Sequence, residues 1–357
     1  YPVDNILPWL THCANPADSS RITHLWPAIA AFAATHRRPD WQWLARRLIR
    51  HDWGNDGESL EYSLFYLIYY EPGLDAERPS EEQNIWLFSG LQNLSLRSGW
   101  DEDAIHALWL NGPSNCHHNH LHLNSFTVSA FGERLLVEMG KHDYGNYDDY
   151  RRHTHGHNSL LVDGEGQTIT TDESIYCRQI RAGQWGTVYG MFERLREEQG
   201  AVIATGVTKN AYPGKLRRFD RTFAFVDQRF FFLHDAIERE QTPPVSLTWH
   251  FHSAESIELG SDGAVFATGN ARMLLLPLTR LPIQSSLKYD HRELEDTEDK
   301  PAAPYLVLDA ECGEPVCDLF ALLVPYEKSD SPDVWLEFAE TGIAFGWGDD
   351  RWEYHPG

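Results

Sequence analysis

Apolar residues recur with a helical period up to about residue 72 of this chain. Trp41, Leu44 and Leu48 are spaced i, i+3 and i+7, which places them on one face of a helix. The last helical segment is closed by Pro72 and Gly73, which interrupt helices. The pattern predicts an antiparallel bundle or part of an α/α toroid, with helices in residues 23–36, 41–52 and 59–71.

After residue 86 the period falls to two, and apolar and polar residues alternate in short runs bounded by turn-forming residues. Ala130, Phe131, Gly132 and Glu133 have the composition of a hairpin turn between two such runs. Strand-like runs continue to the C-terminus. They predict a large antiparallel β-sandwich.

Composition and charge exclude some partners. The chain has 30 Lys and Arg against 53 Asp and Glu, a net charge of −23, which argues against a nucleic acid as a general partner. A local basic pocket could still bind a small anion. No run approaches the ~18 apolar residues that a membrane span needs. Of the five cysteines, Cys312 and Cys317 could pair, and free thiols are an equal alternative.

Histidines are concentrated at His117, His118, His120 and His122, four of the 18 in the chain. If residues 120–128 form a strand, His118, His120 and His122 project from one face. A row of imidazoles is costly in a core, because each ring nitrogen needs a partner. A metal ion or an anionic substrate would supply that partner.

Two further candidates for the same site follow the histidines. Glu138 lies in the apolar segment LLVEMG after the predicted hairpin, and His157 lies at the start of another strand-like run. Two histidines and one carboxylate are a common zinc set that leaves one position open. The spacing matches no generic zinc motif such as HExxH, so a solvated histidine-rich surface is the alternative.

The ordered segments HHNHLHLNSF, FGERLLVEMG and RRHTHGHNSLLVDGEGQ, followed by Tyr212, LRRFDRTFAFV and HDAIE, resemble the C-terminal part of the heparinase II/III-like polysaccharide lyases, which include alginate lyases. The resemblance covers most of residues 86–255. It implies an α+β fold, in which the end of an (α/α) toroid precedes a large antiparallel β-sandwich. The implied domains are residues 1–85 for the toroid helices and residues 86–357 for the sandwich.

The resemblance also implies roles for single residues. His118 matches the catalytic histidine, His120 the first ligand of a structural zinc, and His157 the last ligand. Glu138 stands where the family has a ligand Asp, and it supplies the same oxygen on a longer arm. His122 replaces an Asp of the family's H-x-H-x-D motif, which puts the support around the ligands in question.

The implied reaction is β-elimination at a 4-O-linked uronic acid, for which the substrate carboxylate must be neutralised and the C5 proton removed. His118 could do either, because imidazole titrates near neutrality. We expect Tyr147, Arg151, Arg152 and Asn119 to bind the sugar, since rings stack on aromatic side chains and Arg pairs with carboxylate or sulfate. A solvated polar loop is the alternative for this segment.

Other aromatic and basic residues of the chain also have predicted roles. Tyr144 and Tyr150 are further candidates for a tyrosine acid/base, and Arg97 could add positive charge near the site. The three arginines of the LRRFDR run are expected to decorate a strand face: Arg217, Arg218 and Arg221.

One part of the family pattern has no match. The family places a Tyr general acid/base, with an Asn or His, in the toroid farther upstream of its H-x-H motif than the 117 residues that precede His118. The chain also begins at Tyr1 without a signal-like leader. We therefore expect a C-terminal piece of a longer or cleaved enzyme, with its N-terminal portion as a partner; a shortened, inactive homologue is the alternative.

The preferred interpretation is a zinc-bearing lyase for an anionic polysaccharide, in the periplasm or secreted. A zinc-dependent hydrolase and a non-catalytic carbohydrate-binding sandwich are the alternatives. The sequence does not name the polymer, and it leaves the oligomeric state, a homo-oligomer included, open.

Overall fold

The computed structural model describes residues 26–52, 67–113, 120–138, 153–168, 188–240, 243–290 and 303–356. Helix α1 spans Trp26–His36 and helix α2 spans Pro39–Asp52, as the periodicity predicts. Of the third predicted helix, residues 67–71 are described, and of these residues 67–69 are helical and residues 70–71 are not. None of the helices in these ranges combines the length and apolarity that crossing a membrane requires.

The rest of the described chain is antiparallel β-structure, and its largest element is a nine-stranded sheet. In spatial order its strands are β13 (Ser256–Leu259), β14 (Ala264–Thr268), β15 (Ala271–Leu278), β18 (Val316–Glu327), β11 (Phe230–Arg239), β10 (Leu216–Val226), β9 (Ala201–Lys209), β8 (Tyr189–Glu198) and β4 (Gly112–Pro113).

Two smaller sheets cover one face of the nine-stranded sheet, and their apolar residues share one core with it. They meet at the bridge between Leu136 and Ser253. The five-stranded sheet has the order β1 (Ile85–Phe88), β2 (Asn93–Arg97), β3 (His106–Leu110), β5 (Ser125–Ala130) and β6 (Glu133–Leu136). The four-stranded sheet has the order β16 (Ile283–Asp290), β17 (Ala303–Cys312), β12 (Val245–His252) and β7 (Leu160–Val162).

A C-terminal three-stranded sheet covers the opposite face. It consists of β19 (Val334–Phe338), β20 (Ile343–Trp347) and β21 (Asp350–Tyr354). The ring of Phe345 stacks on Phe232 of β11 at 4.7 Å between centroids. Where β10 and β11 are covered on both faces, residues 223–226 and 230–233 form continuous apolar runs rather than alternating ones.

Two local predictions can be compared with the described strands. The predicted turn is present, since Ala130 pairs with Glu133 while Phe131 and Gly132 have φ of 54° and 77°. Cys312 and Cys317 form a disulfide that joins the end of β17 to the start of β18.

The main core contains a buried ion pair. Arg221 of β10 lies directly opposite Asp235 of β11, and both side chains are fully buried. The guanidinium donates from Nε and Nη2 to the two carboxylate oxygens at 2.6 and 2.7 Å. Trp249 of β12 donates its indole N–H to the same carboxylate at 2.8 Å, which links the facing sheets.

The expectation that Arg221 decorates a strand face is therefore wrong. The apolar residues around it mark a two-sided core strand, and a charge in such a strand needs a buried counter-charge. Arg217 behaves as expected: its side chain is 66% exposed and pairs with Glu238 at 2.7 Å.

We expect Arg221→Met to lower the free energy of unfolding by about 3–5 kcal/mol, because Asp235 keeps its buried charge without a partner. Urea unfolding followed by tryptophan fluorescence measures the change. The matched control, Arg217→Met, removes an exposed pair and should cost about 0–1 kcal/mol. Equal losses in the two variants would contradict the role given to the buried pair.

Candidate metal centre and active site

Three histidines meet in the interior, His120, His122 and His157. The ring of His157 lies 5.2 Å from that of His120 and 5.5 Å from that of His122, between centroids. One nitrogen from each ring lies within 4.8 Å of the others. All three side chains are buried, with exposures of 1%, 4% and 0%. The described residues contain no other group of three potential metal ligands.

Glu138 lies beside this group, two residues beyond the end of β6. Its Oε2 contacts Nδ1 of His157, and its Oε1 accepts a hydrogen bond from Ser125 at 2.5 Å. Burial by itself raises the pKa of this carboxyl, but His157, His122 and the Ser125 hydroxyl outweigh it and lower the pKa below its usual value. Glu138 is therefore a carboxylate aimed at His157.

The backbone around the first two histidines differs from the expectation of a strand over residues 120–128. Strand β5 begins at Ser125, and residues 120–124 form a bend and a turn. Asn124 has φ of 61°, and the N–H of Ser125 donates to the carbonyl of His122 at 2.9 Å. His120 and His122, whose ring centroids are 6.2 Å apart, therefore lie in a loop that precedes β5 and not in the strand itself.

Side chains from the second loop hold this turn. Thr154 donates its hydroxyl to the carbonyl of Leu121 at 2.9 Å. The amide of Gln167 accepts from the N–H of Leu123 and donates to its carbonyl, both at 2.8 Å. These bonds satisfy backbone groups that no strand partner reaches, so they fix the loop that carries His120 and His122.

Asn158 and Arg221 connect both loops to the core. The Asn158 amide donates to the carbonyls of Phe126 and Val137 at 2.7 and 3.1 Å. Nη1 of Arg221 donates to the carbonyls of Asn124 and Asn158, each at 2.7 Å. One guanidinium thus binds the end of each histidine-bearing segment.

The donor atoms suit a metal ion. Burial, together with His157, lowers the pKa of His122 to about 3, so its imidazole is neutral and offers a lone pair. Nε2 of His157 is buried and has no hydrogen-bond partner among the described residues. Imidazole and carboxylate donors that converge in a buried site fit zinc. A carboxylate on the far nitrogen of a histidine is also the usual support of a metal-bound imidazole.

The remaining site predictions lie outside the described residues. They concern the catalytic histidine, the four substrate-binding residues and the two further tyrosines: His118, Asn119, Tyr147, Arg151, Arg152, Tyr144 and Tyr150. Arg97 is described, and it lies buried on β2 rather than at the histidine cluster.

Sequence reasoning did not assign roles to Thr154, Asn158 and Gln167. A signal was present, because these polar residues lie within six positions of the apolar strand β7, and buried polar groups must find partners. Their partners are backbone groups of a distant loop, which the sequence pattern does not reveal.

Comparison with known proteins finds a matching family profile and solved structures with a similar fold. A sequence profile for heparinase II/III-like proteins, C-terminal, matches residues 88–295. No curated protein matches the chain. The fold is similar to heparan sulfate lyase HepC from Pedobacter heparinus, with a TM-score of 0.68 and 13% identity over 99% of this chain and 53% of HepC.

Two structures of heparinase III are similar as well. One, with methylated lysines, has a TM-score of 0.67 and 14% identity over 98% of this chain and 51% of its own. The other has a TM-score of 0.66 and 12% identity over 96% and 50%. These similarities establish the fold, and the chain spans about half the length of each relative.

We expect Glu138→Ala to reduce the zinc bound per chain and the stability of the zinc-loaded protein, whether Glu138 binds the ion or holds His157. Elemental analysis after zinc loading and dialysis measures the stoichiometry. The exposed Glu311→Ala variant is the control and should bind zinc as the wild type does. Unchanged stoichiometry in Glu138→Ala would remove Glu138 from the site.

Proposed function

This chain belongs to the heparinase II/III-like family, and from that premise we propose that it is the zinc-bearing part of a polysaccharide lyase. The substrate we propose is a uronic-acid-containing polysaccharide, such as a glycosaminoglycan or alginate, cleaved by β-elimination. The observation that carries the proposal is the buried convergence of His120, His122 and His157, with Glu138 against His157.

We propose that the ion is a structural zinc. His120 and His157 would bind it, and the third donor would be either Glu138, as the family resemblance implies, or His122, as the distances within the cluster favour. When bound, zinc supplies a fixed positive charge and a rigid anchor for the imidazoles. His118 is two residues from His120, so anchoring His120 limits where the His118 side chain can reach.

The chemistry assigned to this chain is proton transfer and charge neutralisation. The C5 proton of a uronate becomes acidic only when the adjacent carboxylate is neutralised. His118 would neutralise that carboxylate or accept the proton. Arg151 and Arg152 precede His157 by six and five positions, and with Tyr147 and Asn119 they would hold the anionic sugar.

The rest of the enzyme belongs to the same proposal. Residues 1–85 would be the last helices of an (α/α) toroid, and the tyrosine acid/base would come from an N-terminal portion of the same enzyme. Two contacts support a fixed helical part: Trp43 of α2 meets Trp100 edge to face at 6.3 Å, and Arg47 pairs with Glu102 at 3.2 Å. A polymeric substrate places the enzyme in the periplasm or outside the cell.

The reaction class is tested with the full natural polypeptide and heparan sulfate, chondroitin or alginate. A lyase raises the ultraviolet absorbance, because each cut creates an unsaturated uronate. New reducing ends without that absorbance would indicate a hydrolase. Retention of the polymer in affinity electrophoresis without any cut would indicate a binding module. Either outcome would overturn the lyase proposal.

We expect His118→Ala to lower kcat on the responsive polymer by about 10²–10⁴-fold while zinc content and the unfolding midpoint stay unchanged. Steady-state rates and elemental analysis measure the two effects. His355→Ala replaces an exposed histidine of the C-terminal segment and should leave the rate unchanged. Full activity of His118→Ala would remove His118 from the reaction.

A further inference from the structure

Arg97, the last residue of β2, is a buried cation that no buried anion pairs with among the residues that the structure describes. The residue is 1% exposed. Nη2 reaches the Ser95 hydroxyl at 3.4 Å, and the guanidinium carbon lies 4.1 Å from the centre of the Trp100 ring. Nε and Nη1 have no hydrogen-bond partner in the described part of the chain. The contacts with Ser95 and Trp100 are both contacts with neutral groups.

The neighbouring strand does not supply a negative charge. His106 of β3 lies directly opposite Arg97, and its Nε2 is 3.1 Å from the Ser95 hydroxyl. Burial and the charge of Arg97 lower the pKa of His106 well below its usual value, so the imidazole is neutral. The row continues across the sheet with Ser129 of β5, which is uncharged.

Two of the acids that follow Arg97 in sequence are engaged elsewhere. Asp101 pairs with Arg78 at 2.7 Å, and Glu102 pairs with Arg47 at 3.2 Å. Arg97 therefore differs from Arg221, which holds a carboxylate with two of its nitrogens. A guanidinium at this depth normally has such a counter-charge, because burial of an unpaired ion is strongly unfavourable.

A second unpartnered polar group lies at the same end of the sheet. Asn84 is 3% exposed, and its backbone carbonyl accepts the N–H of Arg97 at 3.0 Å. Neither the oxygen nor the nitrogen of the Asn84 amide has a hydrogen-bond partner. Two adjacent buried residues thus leave N–H donors unused, whereas buried polar atoms in proteins are almost always paired.

We propose that a small monovalent anion of the size of chloride binds at the free Nε and Nη1 edges of Arg97, next to Asn84. The neighbours of Arg97 are themselves buried, since Trp100 is 5% exposed and His106 is 3% exposed, and we therefore propose a single-atom anion and not a sugar acid. The anion would neutralise Arg97 where β2 meets Trp100, which packs against Trp43 of α2. It would stabilise the junction between the helices and the five-stranded sheet.

This site is separate from the histidine cluster. Arg97, His106 and Ser129 form one cross-strand row, whereas Ser125, which contacts Glu138, begins β5 four residues away. Four strand residues span about 13 Å. The anion site therefore holds whether or not the lyase proposal does.

The test is thermal unfolding of the full chain while chloride replaces gluconate at constant ionic strength. Wild type should gain about 2 °C, saturably, because a ligand that binds only the folded state raises its stability. Arg97→Met should show no gain and be at least as stable as wild type without chloride, since it removes the unpaired charge. Arg217→Met, which alters an exposed arginine, should keep the full gain.

A crystallographic measurement on the wild type tests the proposal even if Arg97→Met fails to fold. Wild-type crystals grown with bromide should show an anomalous peak in contact with Nη1 or Nε of Arg97. No peak there, no saturable chloride effect in wild type, or a chloride effect retained in Arg97→Met would each overturn the proposal.

Discussion

One buried guanidinium connects the parts of this molecule that form the candidate site. Arg221 uses two nitrogens to hold Asp235 on the neighbouring strand, and its third binds the carbonyls of Asn124 and Asn158. Those residues end one histidine-bearing loop and continue the other. Because the guanidinium is planar and its donors diverge at fixed angles, the sheet and both loops are held in one relative geometry.

That geometry brings three imidazoles together in the buried interior. His120, His122 and His157 come from two loops that share no strand pairing with each other. Thr154 and Gln167 satisfy the backbone of the first loop, and Asn158 satisfies the chain around β5 and β6. These side chains pair with backbone groups that no strand reaches, and the imidazole nitrogens are groups that a metal ion can bind.

The sequence predicts much of the scaffold because strand alternation and turn chemistry are local. The Phe131-Gly132 turn, the first two helices and the antiparallel character of the chain after residue 86 all agree with the structure. The ordered histidine segments also point to His120 and His157, which do come together. The family to which the chain belongs follows from the same segments.

The errors have a common physical origin, which is long-range pairing. Residues 120–124 alternate like a strand but turn, because their backbone is satisfied by Gln167 and Thr154 far along the chain. Arg221 looks like a surface residue until its partner Asp235, fourteen positions later, is known to lie opposite it. Arg97 looks like a substrate contact, yet its strand is buried on the face that carries it.

The central claim is that His120 and His157 bind one cation, together with His122 or Glu138. Crystals of the zinc-loaded protein, measured at wavelengths on either side of the zinc absorption edge, test it most directly. The account predicts one anomalous peak about 2.0–2.1 Å from a nitrogen of His120 and of His157, with His122 or Glu138 as the next ligand. A zinc-loaded crystal with no peak between these rings, or with its zinc bound elsewhere, would contradict it.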